Sequence, residues 1–535
     1  MKPSTASHWT RFIATIRRLG ALVARLPREP ADLLLDIRRR SKHHVEHLGE
    51  STHSLASHAR DRWHAIDHWK THWIVNIAIG LGIDFLLSFA GDHGLAIGMK
   101  NWAMDAAMRG NAAIESSVAR GAPPVTMIDI DEETWRSPEW GNGPYRAARA
   151  PLLNLISYAT GSGARLVLVD VTIEAPNDNE DEVFKTGIQQ LVPSLKPEQH
   201  ILFMKTARRP LVFADRLAPV WQPSILDPIV SASHGKLDYA APYFEVSTDG
   251  VVRSWLLWRA GCQPDSNDVA GNNTGLGRWT VIPSVQLAVY RLEHGRPAQT
   301  STKPGGVCLT APEGIGKEPE ESPDSDWRRE TAHLFGNEAE SGIDEPKING
   351  IPRFDPSSRI LYQERYPPQA AGISVLSALK VLQHDAHVPA NLSGRIVVIG
   401  QSSDSARDWH STPLGAMPGS MIIANALQSL LTFGPIRELP KYLEMLSSIV
   451  LIVVVGLVFA RADSWVGGVL ILVTFVPLLI LLNLAVLRSG YWFEFSTPLL
   501  AMYVHRIVSN FEEYLVYRKW RQAHEANHSA THHSG

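Results

Sequence analysis

Four stretches of this chain are apolar over roughly membrane length, and a long mixed segment separates the first from the second. Residues 73–90 carry only Asn76 and Asp84 as amide or charged interruptions. Residues 442–460 are cleaner, residues 465–487 contain Pro477 and Asn483, and residues 491–508 hold Glu494 near their start. A helix that crosses a bilayer needs about 20 mostly apolar residues, with a lower limit near 17. Trp73, Tyr442, Trp465, Tyr491 and Trp492 stand at the ends of these stretches, where amphipathic rings favour the membrane–water boundary. The pattern predicts transmembrane helices over 73–90, 442–460, 465–487 and 491–508.

The segment between them, 91–441, has a different rhythm. Val-Thr-Met-Ile-Asp-Ile-Asp begins at Val125, and Arg-Leu-Val-Leu-Val-Asp-Val-Thr-Ile begins at Arg165. Both are apolar runs rich in β-branched residues, with an aspartate toward the carboxyl end, Asp131 in one and Asp170 in the other. Residues 151–158 and 181–191 read as helices, and 201–205 and 395–400 as further buried strands. Such strands, alternating with helices, predict a parallel sheet covered on both faces. The fold class is therefore α/β, a Rossmann-like parallel sheet domain plus a four-helix transmembrane region. Residues 313–347 are rich in Glu, Pro, Ser, Asp and Gly and read as a poorly ordered surface insertion.

Charge sets the orientation. The net charge of −3 over 535 residues names no partner and offers no nucleic-acid surface. Basic residues crowd the leader 1–72, among them Arg38, Arg39, Arg40 and Lys42, and recur in the tail 509–535 at Arg518, Lys519 and Arg521. Cytoplasmic loops carry this excess, so both ends are expected in the cytoplasm and 91–441 outside it. Phe12, Ile16, Leu19, Val23 and Leu26 fall at helical spacing in the leader and suit contact with membrane lipid or a packed partner. His64, His68 and His72 share a helix face, but no carboxylate or cysteine completes a metal site. The first apolar block follows a long charged leader and reads as a retained anchor. Cys262 and Cys308 lie in the outside segment, and their spacing leaves pairing open.

Ligands of open α/β sheets bind beyond the carboxyl ends of the strands. Asp131 and Asp170 end two strands, Asp404 follows a third, and Arg146 lies in the Gly-Pro-Tyr-Arg string after the first. These four are the candidate ligand-binding residues, and a carboxylate cluster suits a cation or a polar ligand. The competing reading has the aspartates capping helices or pairing with Arg146, Arg149 and Arg253. Alternation turns Asp129 away from Asp131 and makes a structural role the better one for it. Asp249-Gly250 reads as a turn. Within the apolar stretches, Asp84 and Asn483 are candidate polar partners. No P-loop, Gly-x-Ser-x-Gly or His-Glu-x-x-His occurs. The string Asp408, His410, Ser411 is adjacency rather than triad geometry. No enzyme activity, metal or cofactor is expected.

The ordered blocks resemble the CHASE2 domain, an extracytoplasmic sensor domain of bacterial signalling proteins. They are Ile128-Asp129-Ile130-Asp131-Glu132, Gly143-Pro144-Tyr145-Arg146, Val169-Asp170-Val171 with Pro176, and Asp249-Gly250-Val251-Val252-Arg253. Next come Gly394 to Gly400, then Asp408 followed by Thr412-Pro413-Leu414-Gly415, then Pro418-Gly419 followed by Ala424-Asn425. One span before the domain and three after it also match the family. The family often has a histidine before the Ala-Asn pair, where this chain has Ile423, and often a cytoplasmic output domain, where this chain ends.

The resemblance implies a multi-pass protein of the bacterial inner membrane that detects an unidentified extracytoplasmic ligand. It would relay the stimulus through its transmembrane helices to a separate protein, with room for a homo-oligomer. An extracytoplasmic hydrolase or metal-dependent enzyme using an Asp131/Asp170 crevice is one alternative. A structural scaffold of an envelope complex is the other.

Overall fold

The computed structural model describes residues 77–83, 95–115, 125–143, 148–173, 179–213, 216–264, 276–298, 307–309, 357–360, 362, 366, 373–439, 441–461, 471–493, 495, 496, 498–504, 507 and 518. The leader 1–72, Asp84, Arg146, the insertion 313–347 and all of the tail 509–535 except residue 518 lie outside the described residues. The chain falls into two compact units. One is 92–448 with 473–497, and the other is 1–91, 449–472 and 498–535.

The larger unit opens with helix α1 (Leu95–Glu115). Then come β1 (Val125–Ile130), α2 (Glu132–Arg136), α3 (Arg149–Gly161), β2 (Leu166–Thr172), α4 (Asn179–Leu191) and β3 (His200–Met204). A middle stretch holds β4 (Ala207–Phe213), β5 (Arg216–Trp221), α5 (Asp227–Ala232), β6 (Leu237–Ala240), β7 (Phe244–Val246), β8 (Val252–Leu256), β9 (Trp258–Pro264), β10 (Leu276–Pro283), α6 (Val285–Glu293), β11 (Val307–Leu309) and β12 (Ser357–Arg359). The last part holds β13 (Ser374–Ser377), α7 (Ala378–Leu382), β14 (Ile396–Gln401), the hairpin β15 (Trp409–Thr412) and β16 (Gly415–Pro418), and α8 (Gly419–Phe433). It closes with β17 (Arg437–Glu438), α10 (Val476–Arg488) and β18 (Tyr491–Trp492); of α9 (Lys441–Arg461), residues 441–448 belong to this unit and 449–461 to the other.

Six strands form one sheet in the order β13-β1-β14-β2-β3-β6, and every neighbouring pair is parallel. Side chains alternate between its faces. Ile128, Ile130, Val167, Val169, Val397 and Ile399 pack with Leu152, Leu155 and Ile156 of α3 and Phe184 and Ile188 of α4. Met127, Leu168 and Val398 join the opposite cluster with Met421, Ile422 and Leu427 of α8 and Leu287 of α6. Both faces are thus covered, which is why the central strands read as unbroken apolar runs. This is the Rossmann-like α/β domain that the pattern predicted. A second sheet, β11-β10-β9-β5-β4, lies in the middle stretch. Cys262 on β9 is fully buried and disulfide-bonded, and no described cysteine is free.

The apolar stretches depart in detail from continuous helices. Among the described residues no helix is long and apolar enough to cross a membrane. The predicted spans 73–90 and 465–487 fall partly outside the described residues, at 73–76, 84–90 and 465–470. The described part of 465–487 begins as a π-helix, Ile471–Phe475, and continues as α10. Pro477 lacks the N–H that would bond one turn back, so the widened turn sits where an α bond is missing. The predicted span 491–508 starts differently: Tyr491 and Trp492 pair in parallel with Arg437 and Glu438, and helix resumes at 498–504. In the smaller unit, residues 77–83 are helical. A Cβ on Gly80 would stand 2.5 Å from Met502 Sδ and 3.0 Å from Ile452 Cγ2, so glycine permits this close packing. Ile452, Val455 and Met502 are buried there.

Candidate functional site

The carboxyl ends of β1, β14 and β2 lie side by side, and their register fixes what they present. Gly400 pairs with Asp129 across β1, and Ile399 pairs with Val169 across β2, which sets Gly400 beside Asp170. Asp129, Gly400 and Asp170 therefore form one row on the sheet face under α8, with an aspartate on either side of the glycine. Strands spaced about 4.8 Å apart put the two aspartate backbones about 10 Å apart.

Gly400 is required by space rather than by conformation. A Cβ there would stand 2.3 Å from Ser420 Cβ, 3.0 Å from Ser420 Oγ and 3.4 Å from Asp170 Oδ2. Gly419, the first residue of α8, is alike: its Cβ would lie 2.2 Å from Asp408 Oδ2. Gly419 N–H donates to the Asp408 carbonyl at 2.9 Å. Two glycines thus leave room for two carboxylates and bring Ser420 down onto the row.

Asp129 is buried. Its Oδ2 accepts from Ser402 Oγ at 2.8 Å and from the Tyr366 hydroxyl at 3.1 Å, while its Oδ1 has no partner. Burial raises its pKa to about 6 against those hydrogen bonds. The Tyr366 ring meets Trp409 edge-on, with centroids 5.4 Å apart. Burial, reinforced by the charge of Asp408, pushes Asp170 up to about 7. His410 Nε2 lies 2.9 Å from Asp408 Oδ1, and that hydrogen bond raises the imidazole pKa.

The described candidates from the sequence take different roles. Asp131 is the N-cap of α2, accepting from Thr134 N–H and Thr134 Oγ1, each at 2.7 Å. Asp404 is exposed on a turn whose backbone N–H donates to Glu132 Oε2 at 3.1 Å. Arg146 lies outside the described residues. Asp170 alone of them faces the row, and its described electrostatic partner is Asp408. Asp408 lies in one of the family blocks but not at a strand end, and the glycine spacing Gly400, Gly419 is the signal that points to it. Asn483 is fully buried and donates from Nδ2 to the Phe493 carbonyl at 2.8 Å; its proposed partner Asp84 lies outside the described residues. Among the described residues no three His, Cys, Asp or Glu side chains are placed to hold a metal ion.

A parallel Rossmann-like domain with a carboxylate row at its carboxyl edge is the class that the fold defines. The CHASE2 domain family model matches residues 78–460, and the chain belongs to the CHASE2 domain family. The match starts within the first apolar stretch and ends at the last residue of the second. No curated protein and no solved structure matches the chain.

Proposed function

We propose that this chain is a CHASE2 sensor or accessory signalling subunit of the bacterial inner membrane. It detects an extracytoplasmic ligand at the carboxyl edge of its sheet and passes the change through its apolar helices to a separate protein. It acts by binding rather than by catalysis. The observation that carries the reading is the row Asp129, Gly400, Asp170 beneath Ser420, a built polar site at the place where open parallel sheets take ligands. Family membership supports the sensor role.

Membrane anchoring has its own support. Most of the exposed large apolar side chains lie on the apolar stretches, including Leu446, Val450, Val473, Leu478, Leu481 and Ile507. Exposed apolar side chains concentrated on such stretches suit an interaction with lipid or protein.

A fluorescent reporter active only in the cytoplasm, fused after Gly535, should glow. A periplasm-active phosphatase inserted at Pro319 should be active, and an intact but silent one overturns the topology. Mild-detergent co-purification should recover a signalling partner, and Asp170→Asn should alter that partner's output at unchanged protein level. Unchanged output would favour a scaffold, and any turnover lost in Asp131→Asn would favour the enzyme.

A further inference from the structure

Building on the sensor reading, we propose that Asp170, Asp408 and Ser420 form a subsite for the primary ammonium group of a small extracytoplasmic amine. Three observations converge on it. Asp170 and Asp408 approach each other where Gly400 and Gly419 leave room, and among the described residues no cation pairs with Asp170. The Ser420 hydroxyl is wholly buried and has no hydrogen-bond partner among the described residues, yet it stands at the same glycine as Asp170 Oδ2. Asp408 lies one residue before Trp409, which is 37% exposed, so the subsite borders the surface.

An ammonium group carries three N–H donors and no acceptor. Two carboxylates and a hydroxyl oxygen supply three acceptors. A metal ion is a poorer match, because only two of the three groups are carboxylates and no third His, Cys, Asp or Glu joins them. Asp408 and its partner His410 face Asp170 from the loop and hairpin. Gly400 and Gln401 of β14 and Ser420 of α8 bring no titratable group. Binding should strengthen as pH rises and Asp170 ionises, since Asp170 is held up to about 7 in the empty site.

The test uses the full chain in mild detergent near pH 8, with methylammonium, potassium and tetramethylammonium chlorides at equal ionic strength. Methylammonium should raise the melting temperature, and the other two, which have no N–H, should not. The rise should shrink near pH 5.5 and vanish in Asp170→Asn. In Ser420→Ala the apparent affinity should fall about tenfold, the worth of one hydrogen bond to a charged group. Equal shifts with potassium, a shift that survives Asp170→Asn, or no shift at pH 8 would each overturn the subsite. If the subsite fails while Asp170→Asn still changes the partner's output, the sensor reading stands. If neither effect appears, both fall.

Discussion

Arg253 grips Asp105 through two parallel hydrogen bonds, Nε to Oδ1 at 2.7 Å and Nη2 to Oδ2 at 2.9 Å. The same guanidinium donates to both oxygens of Asp249, each at 2.8 Å. Arg253 is buried, so both carboxylates answer one charge that water does not reach. Asp105 belongs to α1 and Asp249 to the turn before β8, and the clamp fastens the entering helix to the domain.

The two carboxylates should differ in weight. Asp105→Asn removes the partner whose side chain is only 14% exposed, and should cost on the order of 3 kcal/mol. Asp249→Asn removes a partner that is 41% exposed and should cost about 1 kcal/mol or less. Denaturant melts of the full chain measure both. Equal losses would show that the clamp is a surface ion pair.

Stability should fall with pH across the range that Asp170 governs. Its folded pKa, about 7, exceeds the ordinary 3.8, so the folded state binds more protons than the unfolded chain between those values. Its contribution is full below about pH 4, declines as pH rises and is lost by about 7. Asp129, held near 6, acts in the same direction over a narrower window. Asp170→Asn removes one slope, so its melting temperature should rise relative to wild type from about pH 4 to 7. A parallel pair of pH profiles would show that Asp170 titrates normally.

The parallel sheet was legible because β1, β2, β3 and β14 are buried on both faces and therefore spell themselves as apolar runs. β13 escaped notice because Ser374–Ser377 is a half-buried edge strand. The second sheet escaped because β5 meets β9 and β10 meets β11 across long intervals of chain, which no local pattern encodes. The Asp249-Gly250 turn was legible, and Gly250 adopts φ +81° as such a turn requires. The site was half legible. A strand-terminal aspartate announces position, as Asp170 does, but capping and binding look alike in sequence. The partner of Asp170 is Asp408, more than two hundred residues away, and only the folded register brings them together.

Gly400 and Ser420 should behave as one unit. Adding a methyl group in Gly400→Ala drives it to 2.3 Å from Ser420 Cβ, and overpacking of this kind costs about 1 to 3 kcal/mol. Ser420→Gly in the same chain removes the collision and should restore most of the loss, less about 1 kcal/mol for glycine in a helix. Thermal melts of the two single variants and the double variant give the coupling. Additive losses would mean that β14 and α8 are not held together at this point.

The relay should run through α1. Beyond the Arg253 clamp, Asn111 Nδ2 donates to the Tyr362 carbonyl at 3.3 Å, and Arg488 at the end of α10 donates to Asn111 Oδ1 at 3.2 and 3.1 Å. Tyr362 in turn donates from its hydroxyl to the Val252 carbonyl at 3.1 Å, one residue from Arg253. One helix is thereby fastened to the domain at Asp105 and to α10 at Asn111. A ligand shifts an equilibrium only by its differential affinity for two states, so any state that moves β8 must carry α1 or break the clamp. Asn111→Ala keeps the clamp and the carboxylate row but removes the junction with Arg488. It should leave methylammonium-induced stabilisation within about twofold of wild type while reducing the partner's response several-fold, as expected for coupling energies of 1–3 kcal/mol. The melting shift and the partner's output, measured on the same variant, check the two halves separately. A full response from Asn111→Ala would rule out α1 as the route between the domain and α10.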